Sequence, residues 1–531
     1  MKKKVLALFL AAMMALAATA CSGDTGSSSS GNSGNSGNSG DSSASGEIDT
    51  SEHVVINYMT LGDIPTNQTD AALVELNKVL NEKANAEIAL RWIEWTDYLT
   101  QYNLALASQS GDLDLIVTAT DWLDAWPNAQ KGAFMELTED MLKTYAPKTW
   151  EQVDEAGHWD DCKLDGKIYI IPEDTYTQWI NHGMFYRQDW ATEAGLTDGI
   201  HKFEDMGTYF QWIKDNKPDC IPWDVQGSVS SGIAGLSDAW WQSHTDDITI
   251  DGFGVTLFKG ESKDDLYHIS RYLLEGDEFV EFAKTMKEWN DAGYWREDVL
   301  NNKTDTRQAM YEGLSGADQH HTETYYTTVR PEMDKKQPGS EVGMYYWGEE
   351  NGNLVKMVTT HGAMGIAAQS QNPERALMVY DLMRFDQEVY DWMNYGFPEN
   401  YTLDEETNIL TWNDDYDSTT DAVTFNFWAG RNDEMQHKNS TYAWEPYEEL
   451  QAEYNEIAIE YPYGKFVPDK EKLPQLENLS AVANSYMAQI AFGKTDDPEA
   501  TVAEFRKALK DAGYEDAIAE VERQLAETYG E

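Results

Sequence analysis

The sequence predicts an α/β fold with more than one core. From residue 54 to residue 117, apolar runs that suit buried strands alternate with segments of helical periodicity, in the order strand, helix, strand, helix, strand. That order is typical of a parallel sheet covered by helices. The chain has 531 residues, too many for a single compact core, and 41% of them are hydrophobic. We therefore expect two or three domains.

Each element of this first region has a local reason. Strands are predicted at short apolar runs, and helices where apolar residues recur every three or four positions after a capping Thr or Asp. In order, these elements are a strand at Val54–Met59, a helix from Thr69 or Asp70, a strand at Glu87–Ile93, a helix at Asp97–Ser108 and a strand at Leu113–Val117. Parallel sheets bind ligands beyond the carboxyl ends of their strands. Here those ends are Thr60–Asp63 and Thr118–Trp122.

The rest of the chain continues with mixed elements. The tight turn Asp165–Lys167 leads into an apolar strand that Pro172 stops. A second mixed region is expected over 184–346, followed by further strand over Leu354–Ala368. Helices are predicted at Glu278–Ala292, at Asp305–Glu312, from Pro373, from Pro498 and at Tyr514–Glu527.

Residues 1–20 have the pattern of an export signal. Three lysines precede an apolar stretch, Val5–Leu16, and small residues precede Cys21. The stretch is too short for a stable membrane span. A Cys after small residues resembles the lipobox of bacterial lipoproteins, which implies that Cys21 carries a lipid such as palmitate on the extracytoplasmic face of the cell membrane. The alternative is an ordinary signal peptide with Cys21 as a bystander.

Residues 21–51 are predicted to be a tether. They are rich in Ser, Gly and Asn, and a segment of that composition buries too little apolar surface to fold. No apolar run after residue 20 is long enough to cross a bilayer. The lipid is therefore the only membrane attachment that we expect.

The charge balance excludes some ligand classes. Asp and Glu number 94 against 39 Lys and Arg, which gives a net charge of −55. Nucleic acid is excluded as a partner because polyanion binding needs a basic face. A polyanionic ligand is disfavoured for the same reason, unless a local basic pocket exists. The 19 Trp, 29 Tyr and 16 Phe instead suggest stacking platforms for a ligand.

Cysteine and histidine spacing predicts no metal site. Cys162 and Cys220 could form one disulfide or remain two buried thiols, and the sequence leaves both open. Adjacent His320 and His321 would point to opposite faces of a strand, so we expect a polar ligand contact at His320 rather than a metal ligand. Asn413–Asp417 is predicted to be a turn, because it lacks the central Gly and terminal Glu of a calcium-binding EF-hand loop.

Four stretches together resemble a known family. They are Ser110–Ile116, Leu164–Pro172, Gly365–Leu377 and Phe505–Tyr514. The first three resemble the Gly-Asp-x-Asp-Leu strand, the Asp-Gly-Lys-x-Tyr-x-x-Pro crossover and the Asn-Pro-Glu-x-Ala helix start of carbohydrate-type, family 1 extracellular solute-binding proteins of bacterial ABC importers. The fourth is similar to the tail of the lipoprotein LipO-like subgroup, which is associated with complex-carbohydrate uptake.

The resemblance implies a two-lobed, periplasmic-binding-protein-like (type II) fold with an interlobe cleft and hinge crossovers. Lobe one would hold 52–177 and 358–397, and lobe two would hold 178–347 and 398–531. The resemblance also implies a monomeric, non-enzymatic subunit without a cofactor. Such a subunit would close around a carbohydrate, expected here to be an oligosaccharide, and deliver it to separate ABC permease subunits.

The candidate ligand-binding residues combine flat aromatic rings with side chains that hydrogen-bond hydroxyl groups, the two features that a sugar site needs. Some follow predicted strands, some lie in the implied crossover, and the others stand out as tryptophans or their polar neighbours. They are Asp63, Asp121, Trp122, Glu173, Asp174, Trp179, Trp240, Trp241, His320, Trp347, Trp428 and Arg431. Arg431 could contact a uronate carboxylate or make a surface ion pair.

Two other functions stay open at this point, a cell-surface glycoside hydrolase and a glycan-binding adhesin without a role in transport. A hydrolase needs two carboxylates across the scissile bond, and 94 acidic residues supply chance pairs, so their presence decides nothing. The sequence contains no Gly-x-Ser-x-Gly elbow, His-Glu-x-x-His helix or phosphate-binding loop. Capture for transport is the favoured function.

Overall fold

The computed structural model describes residues 48–173, 182–227, 230–253 and 257–530. The export signal, Cys21 and most of the predicted tether lie outside these ranges. Residues 50–531 cluster into one compact unit. Within the described ranges, no helix combines the length and the apolarity that crossing a membrane requires.

A five-stranded sheet, called the first sheet below, organises one part of the fold. Its spatial order is Ala86–Ile93, Val54–Leu61, Leu115–Thr118, Ala363–Ile366 and Ile170–Pro172. The first three strands are parallel, as predicted, whereas Ala363–Ile366 runs antiparallel to both of its neighbours. The chain therefore leaves this sheet after Pro172 and returns to it at Ala363.

One cluster of buried apolar side chains packs against this sheet and is called the first core. It draws on residues 56–171, 363–393 and 425–429. Local sequence sets the helix ends; Asn85, for example, adopts the left-handed conformation (φ 47°) that ends the first helix. The helices of this part are Thr69–Ala84, Tyr98–Ala107, Ala125–Gln130, Glu139–Tyr145, Pro147–Ala156, Pro373–Phe385 and Gln387–Asn394.

A three-stranded antiparallel sheet, called the second sheet, organises the other part. Its central strand, Gly183–Arg187, pairs with Ala317–His320 and with Val342–Tyr346. A separate second core draws on residues 184–347 and 463–525. The helices of this part are Gln188–Glu193, Phe203–Asn216, Ser230–His244, Glu278–Ala292, Thr306–Tyr311, Arg330–Lys336, Trp444–Ile457, Leu476–Ala491, Pro498–Asp511 and Tyr514–Tyr529.

The remaining strands form small sheets. Lys163–Leu164 and Lys167–Ile168 make a hairpin around the tight turn that the sequence predicted, and both Asp165 and Gly166 in this turn have the positive φ of a type I′ turn. The other strands are Ile248–Thr249, Lys259–Ser262 and Asp265–Ile269 in one sheet, and Tyr401–Asp404, Ile409–Trp412 and Lys438–Asn439 in another.

The strand predicted over Leu354–Ala368 is shorter than expected. Only Ala363–Ile366 joins the sheet. The residues before it form the return crossover and hydrogen-bond elsewhere, as when the Lys356 N–H donates to Ile459 O (2.9 Å). Alternation of apolar residues does not distinguish a strand from an extended crossover.

Residues 425–429 pack against the first core, although they lie far along the sequence. The hydroxyls of Tyr58 and Thr60 both donate to Asn426 O (3.0 and 2.8 Å), and Asn426 Nδ2 donates to Leu61 O (2.7 Å). These bonds fix the stretch beside the carboxyl end of the first strand. Trp428 is thereby placed next to the first sheet.

The two cysteines of the described body are not bridged. Cys162 is buried in the first core and Cys220 in the second. Of the two alternatives that the sequence left open, the structure supports two buried thiols that are not bridged to each other.

Candidate functional site

The ends of three strands of the first sheet bring polar residues to one edge. Asp121 and Trp122 follow the third strand, Glu173 follows the outer strand, and His361 precedes the strand between them. That middle strand pairs with both neighbours at Ala363, its first residue. The four side chains therefore start from the same edge of the sheet, where the sequence predicted a site.

An aromatic platform, made of Trp95, Tyr98, Trp122 and Trp428, lies at this edge. The Trp122 ring is central, with its centroid 6.3 Å from Trp95, 6.0 Å from Tyr98 and 6.5 Å from Trp428. Trp95 stacks on Trp428 at 5.7 Å and remains 44% exposed. An exposed indole face beside polar side chains suits the apolar C–H face of a sugar ring.

Polar contacts fix the orientation of Trp122. Its indole Nε1–H donates to His361 O (2.9 Å), and the Asp121 carboxylate contacts the His361 ring (Oδ2 to Nδ1, 2.6 Å). The second carboxylate oxygen of Asp121, Oδ1, is buried and has no hydrogen-bond partner among the described residues. Since a buried oxygen without a donor is costly, a ligand hydroxyl would be favoured there.

The end of the second sheet contributes three histidines. His182 directly precedes the central strand, and His320 ends the strand paired with it, opposite Gly183. The ring centroids are 5.5 Å apart for His182 and His320, and 3.9 Å apart for His320 and His321. The His182 ring also hydrogen-bonds Gln319 Oε1 (2.8 Å). Imidazoles thus cluster at this end of the sheet.

The edge of the first sheet and the histidine end of the second sheet meet. Arg431, just after the stretch that packs on the first core, forms an ion pair with Glu323, just after the histidines. Both side chains are only about one-fifth exposed (21% and 22%). Burial, reinforced by the charge of Asp121, raises the pKa of Asp251 to about 7. The site is built from both parts of the molecule.

Glu173 is the most deeply buried acid at the site. Its side chain belongs to a residue that is 5% exposed, and burial raises its pKa to about 7 against the opposing effects of Arg431 and His361. At neutral pH its carboxyl group is poised between the neutral and the charged form. It can therefore donate or accept a hydrogen bond at this position.

The histidines fall into two electrostatic classes. Burial lowers the pKa of His182, His320 and His321, so these rings are neutral at pH 7. Each neutral ring has one donor and one acceptor nitrogen, and the Nδ1 atoms of His182 and His320 already bond Gln319 and Thr324. Burial alone would also lower the pKa of His361, but Asp121 and its neighbouring carboxylates raise it above the ordinary value. This favours the cationic form of His361 beside Asp121.

Six of the residues selected from the sequence come together here. They are Asp121, Trp122, Glu173, His320, Trp428 and Arg431. Arg431 is held by Glu323, so the ion-pair alternative describes it, although this pair lies inside the site rather than on the open surface. A direct ligand contact by any of these six residues stays a prediction.

Other selected residues lie elsewhere. Trp240 and Trp241 are buried in the second core, where Trp240 stacks on His244 and Trp241 packs on Tyr272, so the expectation that one of the pair faces the cleft does not fit their packing. Trp347 is also 1% exposed, although its backbone N–H donates to His182 O (3.1 Å).

Three further candidates remain predictions without a defined contact. Asp63 is exposed two residues beyond the first strand. Asp174 and Trp179 lie outside the described residues.

Sequence reasoning missed several members of the site. Trp95 follows the second strand by two residues, so the strand-end rule that selected Trp122 could have found it. His182, Asp251 and His361 carry no such signal, because each becomes part of the site only through strand pairing and packing over long sequence separations.

Within the described ranges, no three His, Cys, Asp or Glu side chains are arranged so that they could hold a metal ion. At the predicted turn Asn413–Asp417, the Tyr416 N–H donates to Asn413 O (3.0 Å), and the Asp417 carboxylate accepts from Thr419 N (2.9 Å) and Oγ1 (2.7 Å). That segment is a turn, as predicted.

The raised pKa of Glu173 predicts a pH-dependent effect of Glu173→Gln. Between about pH 4.5 and 7 the folded protein holds a proton that the unfolded chain releases, so ionisation of Glu173 lowers stability as pH rises. Glutamine does not ionise, so the variant does not lose stability in this way as pH rises. Its free energy of unfolding relative to wild type should therefore increase by about 3 kcal/mol between pH 4.5 and pH 8. Urea unfolding at both pH values measures it, with the exposed Glu477→Gln as control; a constant difference contradicts the prediction.

Two family models match the sequence. The model described as bacterial extracellular solute-binding protein matches residues 65–385, more than half of the chain. A second model, described as a domain of unknown function, matches residues 462–529 and thus covers the tail that the sequence singled out.

Similar proteins extend over almost the whole chain. A carbohydrate ABC transporter substrate-binding protein of Streptococcus pneumoniae serotype 4 is 24% identical over 499 residues, which is 90% of this chain and 92% of that protein. The crystal structure of the N-glycan transport solute binding protein NgtS of Streptococcus pneumoniae, in complex with Man1GlcNAc, superposes with a TM-score of 0.70 at 19% identity, covering 90% of this chain and 100% of that one.

A second solved structure agrees. The HMO-binding solute binding protein of an ABC transporter from Bifidobacterium longum infantis has a TM-score of 0.61 at 14% identity, and covers 89% of this chain and 99% of that chain. These likenesses, with the two sheets and their separate cores, confirm the two-lobed, periplasmic-binding-protein-like fold. The family model matches more than half of the chain, and the chain therefore belongs to the bacterial extracellular solute-binding proteins.

Proposed function

We propose that this protein is the substrate-binding subunit of a bacterial ABC importer and captures an oligosaccharide in the cleft between its lobes. The supporting observation is the site where the two sheets meet. The aromatic platform supplies stacking faces, while Asp121, Glu173 and three neutral histidines supply donors and acceptors for hydroxyl groups.

The named relatives support the same function. The Streptococcus pneumoniae protein is called a carbohydrate ABC transporter substrate-binding protein, and the solved neighbours are named for N-glycan transport and for HMO binding. None of them is named as an enzyme, which supports capture without turnover. The permease and the ATPase are then separate chains.

The predicted lobes are kept in this proposal with one change. Lobe one holds 52–177 and 358–397, and lobe two holds 178–347 and 398–531, except that residues 398–439 are assigned to lobe one, because Tyr401 and Leu410 cluster with Tyr390 and Tyr395. Phe425 and Phe427 belong to the first core, which supports this change. A ligand that contacts both lobes favours the closed form, which a permease can recognise.

Binding and turnover measured together test the proposal. Titration calorimetry of the mature protein against neutral oligosaccharides should show saturable binding, and chromatography of the same mixtures should recover every saccharide unchanged. Small-angle scattering should show a smaller radius of gyration with a bound saccharide, because the lobes close. Released reducing sugar would instead identify a hydrolase, and binding without closure would favour an adhesin.

A lipid at Cys21 is the proposed membrane attachment. Cys21→Ser should move the protein from the membrane fraction to the medium or the soluble fraction and abolish labelling by a palmitate analogue in a lipoprotein-processing host. Binding of saccharide by the released protein should not change, since the folded body is untouched. If the variant stays membrane-bound and labelled, the anchor lies elsewhere. Cys162→Ser is the matched control, and it should leave the labelling intact.

A further inference from the structure

We infer that the cleft selects saccharides whose contacting rings carry no carboxylate, because each cation that the described residues bring to the site is already paired with an oxygen of the protein. This inference rests on the proposed function. It names a ligand class, neutral hydroxyl-bearing sugars, and excludes uronates and sialylated glycans from the cleft.

The two cations inside the site each have a carboxylate partner. Arg431 is paired with Glu323, and the His361 ring contacts Asp121 (2.6 Å). A sugar carboxylate could bind either cation only by displacing a half-buried protein carboxylate. The displaced carboxylate would then be left in a poorly solvated place, at a cost comparable to the gain.

The cations that surround the site are also paired with oxygens of the protein. Lys259 lies 3.7 Å from Asp238, whose charge acts on His182, and donates to Thr249 Oγ1 (2.9 Å). Arg307, which acts on His320, is paired with Asp318 (2.9 Å).

Arg384 is the remaining cation that acts on Glu173. It is fully buried and donates to Pro172 O and Glu173 O. The internal segments outside the described ranges, 174–181, 228–229 and 254–256, contain no Lys, Arg or His in the sequence.

The acids of the site also disfavour a carboxylate on the ligand. Glu173 and Asp251 are each pushed toward the neutral form by burial, and Asp251 also by Asp121, so an additional negative charge would have to be accommodated beside groups that already resist ionisation. A hydroxyl group on the ligand, by contrast, finds hydrogen-bond acceptors at the site. It can donate to the buried Asp121 Oδ1, which lacks a partner among the described residues, and to the neutral imidazoles.

A matched pair of ligands tests the inference. The probes are maltotetraose, cellotetraose and mannotetraose, each with its derivative in which the primary hydroxyls are oxidised to carboxylates. For each neutral saccharide that binds in calorimetry at pH 8, the oxidised form should bind at least about 100-fold more weakly, the effect of one like charge about 6 Å away at an effective dielectric constant of about 20. Equal or tighter binding of the oxidised form overturns the inference.

The outcomes separate this inference from the proposed function. Binding of oxidised saccharides alone would overturn the neutral selectivity but leave the carbohydrate function standing. Binding of no neutral or oxidised saccharide would remove both.

A variant of Glu323 tests the role of the Arg431–Glu323 ion pair directly. Glu323→Gln keeps the side-chain size and removes the negative charge that is paired with Arg431, so the ratio of the neutral to the oxidised saccharide's affinity should shrink by about tenfold or more. Glu477→Gln removes an exposed carboxylate away from the site, and should leave the discrimination unchanged. An unchanged ratio in Glu323→Gln, with the fold intact by thermal melting, would contradict the role given to the Arg431–Glu323 pair.

Discussion

Replacing Trp122 by alanine should weaken the binding of a neutral oligosaccharide by roughly 30- to 150-fold, which corresponds to about 2–3 kcal/mol. The Trp122 ring touches every other member of the aromatic platform, and its indole N–H holds the His361 backbone. The variant therefore loses both a stacking face and the order of the residues around it. Titration calorimetry with the best-bound saccharide of the panel measures the loss.

Two further tryptophans make this prediction specific. Trp95→Ala should also weaken binding, but with little change in melting temperature because Trp95 is 44% exposed. Trp412→Ala is the matched control, since Trp412 stacks on Tyr416 in a separate small sheet. It should leave affinity unchanged. Equal affinity in wild type and Trp122→Ala would rule out the platform as the sugar-binding surface.

Replacing Arg384 by methionine should lower the free energy of unfolding by about 3–4 kcal/mol. The Arg384 guanidinium is fully buried, and donates to Pro172 O (3.0 Å), Glu173 O (2.5 Å) and the Tyr380 hydroxyl (3.2 Å). It holds the chain where it leaves the first sheet. Methionine fills similar space but provides no donor, so the buried carbonyl oxygens lose their partners.

Urea unfolding of wild type and variant measures this loss. Arg523→Met is the control, because Arg523 lies on the surface. Within the described residues, its ion pairs are with Glu520 and Glu527 of its own helix. Surface pairs of this kind contribute little to stability. If Arg384→Met unfolds at the same urea concentration as wild type, the anchoring of the crossover by Arg384 is wrong.

Local patterns predicted much of the fold. The helix at Glu278–Ala292 begins and ends where its apolar spacing and the following Gly293 indicate. The hairpin around Asp165–Gly166 follows from two residues that accept positive φ. The strand over Leu354–Ala368 was overextended, because the same apolar pattern serves a crossover whose hydrogen bonds go to residue 459.

The site was only partly predictable. Trp122 and Glu173 follow strands, and that position alone identifies the edge of the sheet at which they lie. Trp240 and Trp241 illustrate the limit of composition as a guide, since both rings fill the second core. A tryptophan has the same sequence signature whether it packs in a core or faces a ligand.

The α/β class, the order of the elements and the strand ends that carry Asp121 and Trp122 could be predicted, because they depend on periodicities and caps within a few residues. Which groups share the site depends on long-range packing. Asp121 and His361 are 240 residues apart, and Glu323 and Arg431 are 108 apart. The first pair forms because two strands of the first sheet lie side by side, and the second forms where the two parts of the molecule meet. The burial that accompanies this packing sets both the charge and the hydrogen-bonding roles of these residues.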